Sequence, residues 1–152
     1  MPTITPFLWF DTQAEEAMNL YVSIFPQAKV VSVNRAGETV VSVVFELQGQ
    51  RFMALNAGPQ FKFNESVSFF IECESQAEVD EYWDKLTANG GEPGSCGWLK
   101  DKFGLSWQVV PKVLGRLIGG GGDPARSKRV MDALFQMKKL DAGRLKAAYD
   151  GK

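Results

Sequence analysis

The sequence contains no histidine. That absence removes the Ser-His-Asp and Cys-His catalytic arrangements, the HExxH zinc proteases and every imidazole metal site. Cysteine is scarce: Cys73 and Cys96 are the two, and they form no CxxC. Two unpaired thiols in a cytoplasmic protein is the plain reading. Only Cys96, in a Gly-rich stretch, is placed to be a catalytic thiol, and no neighbour is evident that would activate it. Charge of either sign is balanced, with Lys+Arg 17 against Asp+Glu 18 and a formal net charge of −1. Without a strong field, neither nucleic acid nor an anionic membrane is an expected partner. Long hydrophobic runs are missing too. The apolar stretch Phe7–Phe10 stops at Asp11 and follows no basic segment, so neither a signal peptide nor a membrane span is expected.

What is present is a globular balance, 45% hydrophobic and 23% charged over 152 residues. A chain of this length buries roughly 68–70% of its unfolded surface, enough to fold without a disulfide or metal staple.

The pattern along the chain occurs twice. A strand over Thr3–Phe10 leads to Thr12 and Glu15, spaced as a helix capping box. Ala14, Ala17, Met18, Tyr21 and Ile24 repeat at helical spacing until Pro26. Strands over Lys29–Arg35, Thr39–Leu47 and Arg51–Ala57 follow, joined by short turns. The order then restarts with a strand over Ser66–Cys73 and a second capping box, Ser75 with Glu78. Val79, Tyr82, Trp83 and Leu86 form the apolar face of the second helix. A short strand near Gly94–Cys96 precedes a hairpin of Trp98–Lys102 and Leu105–Val110 around Phe103-Gly104. Module one spans 3–57, module two 66–110, and a helical tail 111–150 completes a single domain 1–152. In the tail, Asp123-Pro124 is a strong helix start, and Val130, Met131, Leu134, Phe135 and Met137 form a stripe that must cover its own sheet or a partner subunit.

The glycines at 119–122 read as a linker, because the acidic Asp123 that follows would repel a phosphate and no Lys-Ser/Thr accompanies them. Three consecutive strands after one helix also weigh against the alternating parallel fold that binds nucleotides or S-adenosylmethionine. The most specific segment is Asp101-Lys102-Phe103-Gly104-Leu105-Ser106-Trp107-Gln108. A polar Gln108 on so apolar a strand points either to solvent or into a lined cavity with a partner.

The doubled βαβββ order with Asp101-x-x-Gly104-x-x-x-Gln108 resembles the vicinal oxygen chelate superfamily of glyoxalase I, bleomycin-resistance proteins and extradiol dioxygenases. Ile4 to Asp11, Ala54 to Glu65 and Cys96 to Gln108 resemble its PhnB-like branch, often labelled 3-demethylubiquinone-9 3-methyltransferase, and the similarity extends to Gln136–Leu140 of the tail. The resemblance implies an α+β fold in which paired βαβββ modules form a cupped mixed sheet, with a C-terminal helical extension. It also implies a homodimer. In the superfamily's metal enzymes four ligands point into the cup; the corresponding positions here are Thr5, Asn56, Ser68 and Gln108, all neutral. Such a set does not offset dehydration of a divalent cation, so neither a metal nor another cofactor is expected.

Strand alternation then fills the cup. In phase with those positions are Phe7, Trp9, Phe52, Ala54, Phe70, Glu72, Ser106 and Val110. Ile4, Leu8, Phe10, Val67, Phe69, Ile71, Leu105, Trp107 and Val109 fall on the opposite, helix-packed face. The candidate ligand-binding set is Thr5, Phe7, Trp9, Asn56, Ser68, Phe70, Glu72 and Gln108. These walls either hold a small aromatic or apolar molecule or pack a closed core or dimer interface. Glu72 is the one carboxylate in the set, a general base if desolvated and a solvated strand-end carboxylate otherwise. Trp98 and Lys100 sit near the rim, and Phe61 and Phe63 on the inter-module loop either gate the cup or bury themselves across a dimer. The expectation is a metal-free small-molecule binding protein; the alternative is an enzyme true to the methyltransferase label, for which no methyl-donor motif is visible.

Overall fold

The computed structural model describes residues 1–119 and 121–152; the expected linker over 119–122 includes Gly120, which lies outside the described residues. The chain is α+β, with two four-stranded mixed sheets and five α-helices among the described residues. No helix among these residues is long and apolar enough to cross a membrane. Two compact units divide the chain, Met1–Lys62 and Phe63–Lys152.

In the first unit, β1 (Phe7–Phe10) is followed by α1 (Ala14–Ile24), β2 (Ala28–Ala36), β3 (Thr39–Leu47) and β4 (Gln50–Asn56), in sheet order β1-β4-β3-β2. β1 lies parallel to β4 and the other pairings are antiparallel. Alternation buries one face. Leu8, Phe10, Val43, Phe45, Leu47, Phe52 and Ala54 are buried, as are Ala14, Ala17, Met18 and Tyr21 along α1. Phe45 stacks on Phe52 with ring centroids 5.4 Å apart.

The capping box expected of Thr12 and Glu15 does not form: Gln13 is the N-cap residue and contributes no side-chain hydrogen bond. The orphan N–H of Ala14 donates instead to Asn56 Oδ1 at 2.9 Å, from the far end of β4.

The second unit opens with β5 (Ser68–Cys73), α2 (Gln76–Thr87), β6 (Glu92–Pro93), β7 (Trp98–Lys100) and β8 (Ser106–Pro111). Its order, β5-β8-β7-β6, repeats the permutation of the first sheet, again with one parallel pair, β5 and β8. The outer strands are stunted: β6 has 2 residues and β7 has 3, against 9 each for β2 and β3. The short strand falls at Glu92–Pro93, ahead of the expected Gly94–Cys96. Here the Ser75 half of the capping box forms, and the Glu78 carboxylate reaches one residue past the N-cap. Glu78 N–H donates to Ser75 Oγ at 3.2 Å, and the Glu78 carboxylate accepts from the backbone N–H of Glu74 at 2.7 Å. Burial of Cys73 beneath this helix pushes its thiol up to about 12, which leaves it inert.

The tail packs on its own unit. α3 (Lys112–Ile118), α4 (Pro124–Leu134) and α5 (Ala142–Asp150) bury Leu114, Val130, Leu134, Met137, Leu140 and Leu145 in a cluster with Val110. Asp123 caps α4, with Pro124 in its first turn, and Asp141 caps α5. Backbone N–H groups of Cys96 and Gly97 donate to the carbonyls of Met137 and Lys138, both at 2.8 Å. Gly97, at φ +84°, lies so close to Leu140 that a Cβ would sit 3.0 Å from its side chain. Gln76 completes the joint: its Nε2 donates to the Leu140 carbonyl at 2.9 Å and its Oε1 accepts from Ala142 N–H at 2.8 Å. Lys139 pairs with Asp80 at 2.9 Å.

Replacing Gln76 by Ala leaves that carbonyl and N–H without their partner, and a loss of about 1–2 kcal/mol is expected in chemical denaturation. The Lys139 hydrogen bond, with a smaller one from Gln76, holds the Asp80 carboxyl below its ordinary range. A depressed carboxylate stabilises above its unfolded pKa and loses that contribution as pH falls through the folded one. Amide exchange across α4 and α5 should therefore accelerate relative to module one below about pH 4, and Asp80→Asn should flatten that difference.

Candidate functional site

The hairpin of β7 and β8 is organised by one buried carboxylate. Asp101 is 2% exposed; its Oδ1 accepts from the N–H groups of Phe103 (2.9 Å) and Leu105 (3.1 Å), and its Oδ2 accepts from Trp107 Nε1 (2.9 Å). Its backbone closes the same turn, its N–H donating to Leu105 and its carbonyl accepting from Gly104. Gly104 stands at φ +87°, where a side chain would be strained. The motif that makes this segment specific in the sequence is thus a scaffold, and it fixes the phase of β8.

That phase sorts the second sheet into two faces. Phe69, Ile71, Cys73, Leu99, Trp107 and Val109 lie on the helix side. On the other face the registers align rows across the strands. Ser68, Ser106, Lys100 and Glu92 make a polar row from β5 to β6. The next row is Phe70, Gln108 and Trp98, an amide between two aromatic side chains. Glu72 and Val110 pair beyond it. Gln108 Nε2 donates to Ser68 Oγ at 3.0 Å, so Gln108 takes a partner rather than pointing to bulk solvent. Ser106 is 1% exposed, and its hydroxyl has no hydrogen-bond partner among the described residues. Phe70 is 57% exposed, and Glu72 is exposed as well.

A cavity of about 390 Å³ opens beside the polar row, lined by Glu65, Glu92, Pro93, Gly94, Ser95, Trp98, Leu99 and Lys100. Lys100 is ion-paired with Glu65 from the segment before β5. The hydrogen bond from Lys100 holds the Glu65 carboxyl below its usual range, and the same bond holds the ammonium of Lys100 above its own.

In the first sheet the expected face needs correction. Phe7 and Trp9 are in register with Met53 and Leu55, whereas Asn56 is opposite Phe10. Asn56 therefore lies on the helix face, where its Oδ1 caps α1 and its Nδ2 donates to the Val40 carbonyl at 3.2 Å. Phe52 and Ala54 go with it, buried at 6% and 0% exposure. The residues sharing the face of Phe7 and Trp9 are Met53, Leu55, Ser42 and Val44. Trp9 Nε1 donates to the Gly58 carbonyl at 2.9 Å, and Phe61 meets its ring edge-on at 4.9 Å. Phe7 is 53% exposed, and Thr5 precedes β1, half-buried. Ile4 and Val67, expected against a helix, are 96% and 64% exposed because both precede the strands.

The donor set does not fit a divalent cation. Ser68 and Gln108 are neutral and bonded to each other, and Asn56 is committed to backbone groups on the helix face of its own sheet. No step through a metal follows from these residues.

Asp101→Asn would bring an amide N–H against one of three existing donors, and a loss of about 2–3 kcal/mol is expected in urea unfolding. Asn56→Ala should cost about 1 kcal/mol through the lost cap, and Thr12→Ala less than about 0.5 kcal/mol. Equal effects of the two would contradict the capping assignment.

The family model described as 3-demethylubiquinone-9 3-methyltransferase matches residues 2–110. No curated protein matches the sequence. Among solved structures, a PhnB protein from Bacillus cereus is 36% identical with a TM-score of 0.66, over 72% of this chain and 99% of that one. Protein PA1353 from Pseudomonas aeruginosa is 18% identical with a TM-score of 0.56, over 74% of this chain and 98% of that one. A fosfomycin resistance protein, FosX, from Listeria monocytogenes is 16% identical with a TM-score of 0.51, over 73% and 93%. The last two share the fold alone. The family match ends at β8, so the expected similarity of the tail lies beyond it. The chain belongs to the PhnB-like family described as 3-demethylubiquinone-9 3-methyltransferase.

Proposed function

We propose that this protein binds a small aromatic or apolar molecule on the helix-free face of module two, without a metal or other cofactor. The observation that carries this reading is the Ser106 hydroxyl. It is buried, and no group among the described residues hydrogen-bonds it, a state that a ligand's polar group would relieve. It lies in the polar row, next to the row in which Phe70 and Trp98 flank Gln108. Flat hydrophobic walls with a few oriented amide and hydroxyl groups suit a stacked, hydrogen-bonded ligand. Trp9, Phe7 and Thr5 form a second candidate surface in module one, and Glu72 is assigned a rim position.

Methyl transfer is the second reading, and the family description alone favours it. A four-stranded sheet whose last three strands follow one another without a helix offers no crevice of the doubly wound kind for a nucleotide-like methyl donor. Exposed aromatic side chains at Phe7, Phe61 and Phe70 support a homodimer as the assembly. In the tail, Val130, Leu134 and Met137 of the apolar stripe are buried within their own unit, whereas Phe135 is 61% exposed and adds to that support. Free Cys73 and Cys96 support a reducing, cytoplasmic setting.

Ser106→Ala separates fold from function. Its thermal midpoint should equal or exceed that of the parent, with a gain of up to about 1 kcal/mol. Its affinity for aromatic ligands, read by quenching of tryptophan fluorescence, should fall. A clear loss of stability together with unchanged binding would contradict the role given to this hydroxyl.

A further inference from the structure

We infer that the ligand taken by module two is an aromatic carboxylate, with its ring between Phe70 and Trp98 and its anionic group on Lys100, where it replaces Glu65. This rests on the binding reading above and adds to it the charge of the ligand.

The geometry comes from the registers. Phe70, Gln108 and Trp98 are cross-strand neighbours on three adjacent strands. Strands are about 4.8 Å apart, which separates the two aromatic residues by roughly 10 Å. One aromatic ring needs about 3.5 Å on each side, so a single ring fits above the Gln108 amide. Lys100 is the next residue but one along β7 from Trp98, on the same face and lining the adjoining cavity. A carboxylate attached directly or through one or two atoms to such a ring reaches that ammonium.

Glu65 is what makes the site exchangeable. It comes from outside the sheet, its side chain is 59% exposed, and that of Lys100 is 37% exposed. An exposed ion pair contributes little, so an incoming carboxylate displaces Glu65 at small cost and regains the same charge-assisted hydrogen bond. Glu92, the cross-strand neighbour of Lys100, keeps a second carboxylate close and holds the ammonium in place as the partner changes. Glu65 thus acts as a built-in competitor for Lys100.

Three probes of one shape test this by calorimetry on the full chain: a naphthoate, its neutral amide and the matching naphthylmethylammonium. The naphthoate is expected to bind about tenfold more tightly than the amide, and the preference should shrink as sodium chloride is raised. Lys100→Gln should abolish the preference, bringing naphthoate affinity down to that of the amide. Glu65→Gln should tighten naphthoate binding by up to about fivefold, because the competitor is gone. Equal affinity for naphthoate and amide, or a preference for the ammonium probe, would overturn the charge assignment and leave the aromatic reading intact. Weaker naphthoate binding in Glu65→Gln would overturn the exchange. Failure of all three probes to bind would remove the binding reading itself.

Discussion

The buried carboxylate of Asp101 is the constraint on which module two depends. A charged side chain at 2% exposure is tolerable only when its lone pairs are occupied, and two backbone N–H groups and the Trp107 indole occupy them. With Trp107 fixed by its Nε1, β8 has no freedom to slip, because a shift of one residue would exchange Gln108 for Trp107 on the open face. The row of Phe70, Gln108 and Trp98, and the row of Ser68, Ser106, Lys100 and Glu92, exist because this turn is locked.

What was legible in the sequence was what is local. Ser75 caps the second helix through the Glu78 N–H because both partners lie in one helical turn. Thr12 and Glu15 have the same spacing and form no such cap, since Asn56 reaches Ala14 from 42 positions away and supplies the bond first. Spacing cannot reveal that competitor. The face of β4 differs from the expectation for a related reason. Alternation gives two faces for a strand but not which one meets the helix, and that is fixed by the parallel pairing with β1, a non-local register. In module two the same reasoning worked, because Ser68, Phe70, Gln108 and Val110 do share a face. The tail helices were visible through Asp123-Pro124 and their apolar stripe. That the stripe meets Val110 and Leu114 was not visible, because any apolar surface of the right size satisfies the same pattern.

The two modules repeat one strand order yet have diverged in use. Module one has long outer strands, a closed aromatic core under α1, and a tryptophan whose indole N–H is tied to Gly58. Module two has stunted outer strands and places its cavity where they end. The residues that resemble a metal-ligand set are absorbed differently in each half, one into helix capping and two into a neutral hydrogen bond. Ser106 is the exception, a buried hydroxyl that no group among the described residues hydrogen-bonds.

The contact between Gly97 and Leu140 has a consequence for how such a chain diverges. The positive φ at 97 already favours glycine, but asparagine also enters that region, and Leu140 together with the Val109 carbonyl closes even this latitude. The family match stops short of the tail. The tail thus closes the turn before β7 to any side chain at 97, and a substitution there needs a smaller residue at 140 as well.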